Sequence, residues 1–87
     1  WPEDLSQVIY IDGFGNAMTG LRASGVPATA RIVVKGTEID HARTFSDVSM
    51  GEAFWYENAN GLVEIAVSRG NAASILGFAV GTEVTIT

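Results

Sequence analysis

Ile9-Tyr10-Ile11-Asp12-Gly13-Phe14-Gly15-Asn16-Ala17-Met18-Thr19 is the stretch on which the fold turns. Val8 to Ile11 is β-branched and aromatic, which suits a pleated, mostly buried strand. Asp12-Gly13 then breaks it with turn chemistry, because Gly accepts positive φ and Asp can bond its own backbone. Asn16 opens a second short apolar run, so the stretch predicts a hairpin. Phe14 stands between Gly13 and Gly15, with no Cβ on either side of it, so another group can approach its ring closely. Two readings follow: turn residues that only close a hairpin, or a ligand-facing turn that offers a ring to stack on and an amide to pair with.

With 87 residues the chain is one domain with an adequate but thin core. It is 47% hydrophobic, yet no apolar run is long enough to span a membrane. Trp1-Pro2-Glu3-Asp4 has neither a basic n-region nor an apolar h-region, so no signal peptide is expected. The missing initiator Met and strand-like final residues fit a domain cut from a longer chain, and equally a processed protein. Cysteine is absent, which excludes disulfides and thiolate metal sites and fits a reducing compartment; the expected location is cytoplasmic. His41 is the single histidine, so a His-rich metal site within one chain is excluded. The net charge is −5, and the basic residues Arg22, Arg31, Lys35, Arg43 and Arg69 are scattered. Neutralising phosphates needs clustered Lys and Arg, so a nucleic-acid partner is not expected.

Outward from the opening hairpin, Leu21 to Thr29 reads as a Gly-, Ser-, Ala- and Pro-containing connection. Arg31 to Val34 predicts a strand, Lys35-Gly36 a tight turn, and Thr37 to Ile39 the returning partner. His41 to Phe45 is expected to extend that strand towards an edge, and Ser46 to Glu52 to form a loop. Ala53-Phe54-Trp55-Tyr56-Glu57 predicts an aromatic strand, Asn60-Gly61 is the strongest short hairpin signal, and Leu62 to Val67 is its partner. On that partner Val63, Ile65 and Val67 share one face and Glu64 takes the other. Asn71 to Gly77 predicts the one short helix, capped by Asn71 and closed by Gly77. Val84 and Ile86 alternate with polar residues in a closing strand. The expected class is mainly β: a small antiparallel β-barrel or sandwich with one short helix, a single domain over 1–87.

No catalytic constellation stands out. The serines lack a G-x-S-x-G setting, His41 lacks a partner that would make it a base, and the glycines match neither a P-loop nor a dinucleotide fingerprint. A binding constellation spread over three turns remains. Phe14 and Phe45 supply ring faces, and Asn16 offers both a donor and an acceptor, as an adenine edge requires. Arg69-Gly70-Asn71-Ala72 sits at a helix start with free backbone N–H groups. Each residue also has a plain structural reading, Phe as core and Asn71 as a cap.

Several of these segments, in this order, resemble the C-terminal domain of the S-adenosyl-L-methionine hydroxide adenosyltransferases, relatives of the SAM-dependent fluorinase and chlorinase. The likeness rests on Tyr10-Ile11-Asp12-Gly13-Phe14-Gly15-Asn16, Arg43-Thr44-Phe45, Asn58-Ala59-Asn60-Gly61, and the run from Leu62 to Ala73. It implies a small β-barrel that follows a larger α/β domain, absent here. It also implies a trimer in which substrate lies between one chain's N-terminal domain and a neighbour's C-terminal domain. The implied reaction is hydroxide attack on the ribose C5′ of S-adenosylmethionine, giving adenosine and L-methionine, with SAM as substrate and no cofactor or metal.

By position, the resemblance implies that Asn16 pairs with the adenine edge, that Phe14 and Phe45 wall the ring, and that backbone around Arg69, Asn71 and Ala72 completes its recognition. Asp12 would face the methionine ammonium, and the turn carrying Asn58 and Asn60 its carboxylate. A serine is common in the family where Ala59 stands, and some halogenases have arginine where Asn60 stands. Their absence leaves the carboxylate to backbone N–H groups and favours a hydrolase over a halogenase. The water-activating residues belong to the absent domain, so no catalytic residue is assigned and the fragment alone is expected to be inactive. A non-catalytic interaction or assembly module is the alternative, motivated by the aromatic run Phe54-Trp55-Tyr56.

Overall fold

A computed structural model describes residues 5–42, 51–68 and 70–87, without the side chain of Ala73. The order is β1 (Leu5–Ile11), β2 (Ala17–Arg22), a 3-10 turn (Ala23–Gly25), β3 (Ile32–Val34), β4 (Thr37–Ile39), β5 (Ala53–Glu57), β6 (Leu62–Val67), α1 (Ala72–Leu76) and β7 (Val84–Ile86). Two antiparallel sheets form, one ordered β1-β2-β6-β5 and the other β4-β3-β7. The mainly β, single-helix class therefore holds in its sandwich form. The barrel form does not: among the described residues the ladders stay open, and the sheets are joined by isolated bridges, Gln7 to Glu83 and His41 to Trp55, and by backbone bonds between Val8 and both Gly81 and Thr82.

The core lies between the sheets and follows from period-two patterning. Val63, Ile65 and Val67 of β6 face Ile32, Val34 and Ile39 of the smaller sheet within one buried cluster. Because β6 is a central strand, its other face is covered as well: Ala66 is fully buried against Phe54, and Glu64 is 8% exposed. Phe54 and Trp55 are each 2% exposed and Tyr56 is half-buried, so two of the three rings whose exposure motivated an assembly module belong to the core.

Two further details differ from expectation. β2 runs on to Arg22, because buried Leu21 still belongs to the core. His41 does not prolong β4; the chain crosses to the larger sheet, where Trp55 N–H donates to the Asp40 carbonyl (3.0 Å) and Ala42 N–H to the Trp55 carbonyl (3.1 Å). The crossing seats Ala42 in the second cluster and sets the His41 ring edge-on to Trp55, with centroids 4.6 Å apart. The remainder of that segment, residues 43–45, and most of the predicted 46–52 loop lie outside the described residues. Lys35 and Gly36 both take positive φ, at 50° and 81°, which is the two-residue turn that matches strand twist.

Candidate functional site

Two hairpin loops in this chain are built to one plan. In the first, Asp12 Oδ1 accepts the N–H groups of Phe14 (2.9 Å) and Asn16 (3.0 Å), and Gly15 N–H donates to the Asp12 carbonyl at 3.0 Å. In the second, Asn58 Oδ1 accepts from Asn60 (2.9 Å) and Leu62 (3.0 Å), and Gly61 N–H donates to the Asn58 carbonyl at 3.0 Å. Each loop closes with a glycine in left-handed backbone, Gly15 at φ 83° and Gly61 at φ 79°. An Asp or Asn in first place and a Gly in fourth make a three-residue connection with a bulge, so the positive φ expected at Gly13 falls at Gly15 instead.

The first loop leaves its recognition groups unengaged. Phe14 is 81% exposed, its ring turned away from the core. The carboxamide of half-buried Asn16 makes no hydrogen bond to any described residue, although its backbone N–H and C=O are both used. Gly15 is buried against the Asn71 side chain, close enough that a Cβ there would overlap the carboxamide. Asn71 Oδ1 in turn accepts from Ser74 N–H at 2.9 Å, capping α1 as its sequence predicts. The loop and the helix start, far apart in sequence, are thus in contact, and Ala72 beside them is fully buried. Phe45 and Arg69 lie outside the described residues.

Asn58 and Asn60 are not part of that contact. Since β2 and β6 run antiparallel with Ala17 opposite Ile65, the 58–61 loop lies at the far end of the ladder, about 10 Å of strand away. The Asn58 side chain is wholly committed, with Nδ2 donating to Glu64 Oε1 at 3.0 Å while Oδ1 closes the loop. The N–H groups of Asn60, Gly61 and Leu62 are likewise spent inside the turn. Of the backbone donors expected to meet a carboxylate, Ala59 N–H alone has no bond to a described residue.

Two residues that sequence reasoning passed over sit between the loops. Glu64 accepts from Tyr56 O–H at 2.7 Å and from Asn58, and Tyr56, Glu64, Met18 and Tyr10 are successive cross-strand partners on one face. The available signal was a lone carboxylate inside the apolar run Leu62 to Val67, since a buried charge must be hydrogen-bonded. Burial, then the hydrogen bond to Glu64, then the charges of Glu64 and Asp12 push the Tyr56 phenol well above its ordinary value. A value raised on folding contributes stability below the unfolded pKa, near 10, and loses it as pH rises through the folded value. Urea midpoints should therefore fall as pH climbs beyond about 10. Tyr56→Phe should flatten that fall, at a cost near neutral pH of about 1.5–3 kcal/mol for the lost hydrogen bond to a carboxylate.

Two shallow hollows, of about 490 and 440 Å³, are lined by Ser6, Gln7 and Glu83 to Ile86, and by Val33, Lys35, Gly36, Thr82, Glu83 and Thr85; neither includes the loops. Among the described residues no group of three His, Asp or Glu is placed to hold a metal, and no helix is long and apolar enough to cross a membrane. Fold and loops together define a small open two-sheet β domain that displays an aromatic ring and a free carboxamide beside a capped helix.

A family model described as the SAM hydroxide adenosyltransferase C-terminal domain matches residues 6–85, and the chain belongs to that family. It is 36% identical over 80 residues to an (R)-S-adenosyl-L-methionine hydrolase of Thermus thermophilus, covering 92% of this chain and 31% of that protein. A second protein of that name, from Salinispora arenicola, is 33% identical over 85 residues, covering 94% and 32%. A crystal structure of a conserved hypothetical protein from Thermus thermophilus superposes with a TM-score of 0.88 at 34% identity, covering 97% of this chain and 35% of that one. The chain thus spans about a third of the length of the curated relatives it matches.

Proposed function

We propose that this chain is the adenine-recognising C-terminal domain of an S-adenosyl-L-methionine hydrolase. In this reading a preceding α/β domain activates water, hydroxide attacks the ribose C5′, and adenosine and L-methionine leave. Asn16 pairs with the adenine edge, Phe14 stacks on the ring, and Asn71 with the Ala72 backbone borders it. Asp12 Oδ1 is occupied by its own loop, so the methionine ammonium would meet the carboxylate's other oxygen. The 58–61 loop, some 10 Å along the sheet, suits the opposite end of an extended nucleoside–amino acid substrate. Half a site neither excludes water nor immobilises a ligand, so a neighbour's N-terminal domain completes it in a cytoplasmic homotrimer and the isolated chain is inactive. The names of the curated relatives support the substrate class.

The observation that carries the reading is the contact between Gly15 and Asn71, which sets a free carboxamide and an exposed ring beside a helix start. The test is adenosine formation from SAM by the longer protein carrying this domain. Asn16→Ala should lower kcat/KM about tenfold or more, in line with roughly 1–3 kcal/mol for a bidentate base contact. Phe14→Ala should act similarly through lost stacking. Wild-type kcat/KM in both variants would remove the adenine assignment.

A further inference from the structure

Four asparagines occur in the chain, at 16, 58, 60 and 71, and only Asn60 precedes a glycine. Their surroundings separate them further. Asn58 is held at both ends of its carboxamide, and Asn71 caps α1. Asn16 is followed by buried Ala17, paired in the β2 ladder. Asn60 is exposed, and its carboxamide makes no hydrogen bond to a described residue. The space beside Gly61 is open: a Cβ there would meet only Glu57 Oε2, at 3.8 Å.

We propose that Asn60 is a site of spontaneous deamidation in which the Gly61 backbone nitrogen is the nucleophile, and that the Asn58–Glu64 contact sets its rate. The Gly61 nitrogen gives up its proton and bonds to Cγ of Asn60; the side-chain nitrogen leaves as ammonia, and a five-membered succinimide closes. Water then opens the ring. Cleavage of the Cγ–N bond gives aspartate, and cleavage at the main-chain carbonyl gives isoaspartate. No electrons are exchanged, and a neutral amide becomes a carboxylate.

The folded loop opposes the first step, because Gly61 N–H is held by the Asn58 carbonyl and Asn60 N–H by Asn58 Oδ1. Attack requires these two bonds to open, and loop tips are where local opening costs least. The orientation of Asn58 is dictated from outside the loop. Glu64 as a carboxylate only accepts, so it takes Nδ2 and leaves Oδ1 facing the loop N–H groups. Removing that acceptor frees Asn58 to rotate and loosens the whole connection.

The chemistry needs no ligand, so it does not depend on the functional reading. One consequence does: a new carboxylate at 60 would repel a substrate's carboxylate at that end of the sheet.

The folded chain would be held in mildly alkaline buffer beside an unfolded synthetic peptide of residues 57–63 and followed by peptide mapping that resolves isoaspartate. Aspartate and isoaspartate should accumulate at position 60 ahead of positions 16, 58 and 71, more slowly than in the peptide. Asn60→Gln should abolish the product. Glu64→Leu should accelerate it several-fold, whereas Glu64→Gln, which still accepts from Asn58, should stay near wild type. Asn58→Asp, which keeps the loop acceptor but sets like charges together, should also accelerate it and serves if circular dichroism shows Glu64→Leu unfolded. An intact Asn60 after full conversion of the peptide overturns the site. Equal rates in wild type and in every folded variant that breaks the 58–64 contact overturn the role of Glu64.

Discussion

Trp55→Ala should leave the chain barely stable at room temperature, with a substantial unfolded fraction. The ring is 2% exposed at the centre of the core, its Nε1–H donates to the Ala30 carbonyl at 3.1 Å, and His41 packs edge-on against it. Truncating a buried Trp costs about 3–5 kcal/mol, because the cavity cannot fully collapse. A small domain has only about 5–15 kcal/mol in all, and one of this size lies towards the lower end. The loss is compounded by position, since Trp55 is also where the chain crosses between sheets. Trp55→Phe keeps most of the volume and gives up the bond to Ala30, so it should remain folded with a lower midpoint. Urea unfolding followed by far-UV circular dichroism separates these outcomes. A wild-type midpoint for Trp55→Ala would mean that the two sheets are held together elsewhere.

Gly15→Ala should cost about 2–3 kcal/mol and dismantle the candidate site together. Left-handed backbone at φ 83° is strained for an L side chain by roughly 1–2 kcal/mol. The added methyl also displaces the Asn71 carboxamide and its cap on Ser74, worth typically about 1 kcal/mol. Gly13→Ala is the control: its Cβ would meet nothing within 4 Å and its φ is not positive, so it should change little. Amide exchange at Ser74 and an NMR titration with adenosine read both effects. Unchanged Ser74 protection in Gly15→Ala would show that the loop and the helix start are joined by something other than this contact.

What the sequence made legible was local. Turns fall where Asp12-Gly13, Lys35-Gly36 and Asn60-Gly61 stand, although Gly15, not Gly13, takes the left-handed backbone of the first, and Asn71 and Gly77 bound the helix, because backbone chemistry there involves only near neighbours. The division into two open sheets was not legible. β3 pairs with β7 from the far end of the chain, with Ile32 opposite Ile86, and no turn signal links them. His41 and Glu64 misled for the same reason: the first crosses to another sheet, and the second is covered by neighbours that strand alternation does not specify. Within the candidate site, Phe14 and Asn16 were picked out by residue type, while the approach of the neighbouring Gly15 to Asn71 is a long-range fact that no spacing rule contains. The Asn58 side chain has an internal duty that its residue type did not announce, since it closes a loop and binds Glu64.

The twin hairpin loops divide labour in a way that outlasts any particular ligand. Closure falls to the first and fourth residues, so the third, Phe14 in one and Asn60 in the other, is a socket whose contents can be exchanged. A chain of this kind can acquire a new chemical preference by a single replacement at a tip, leaving its scaffold untouched.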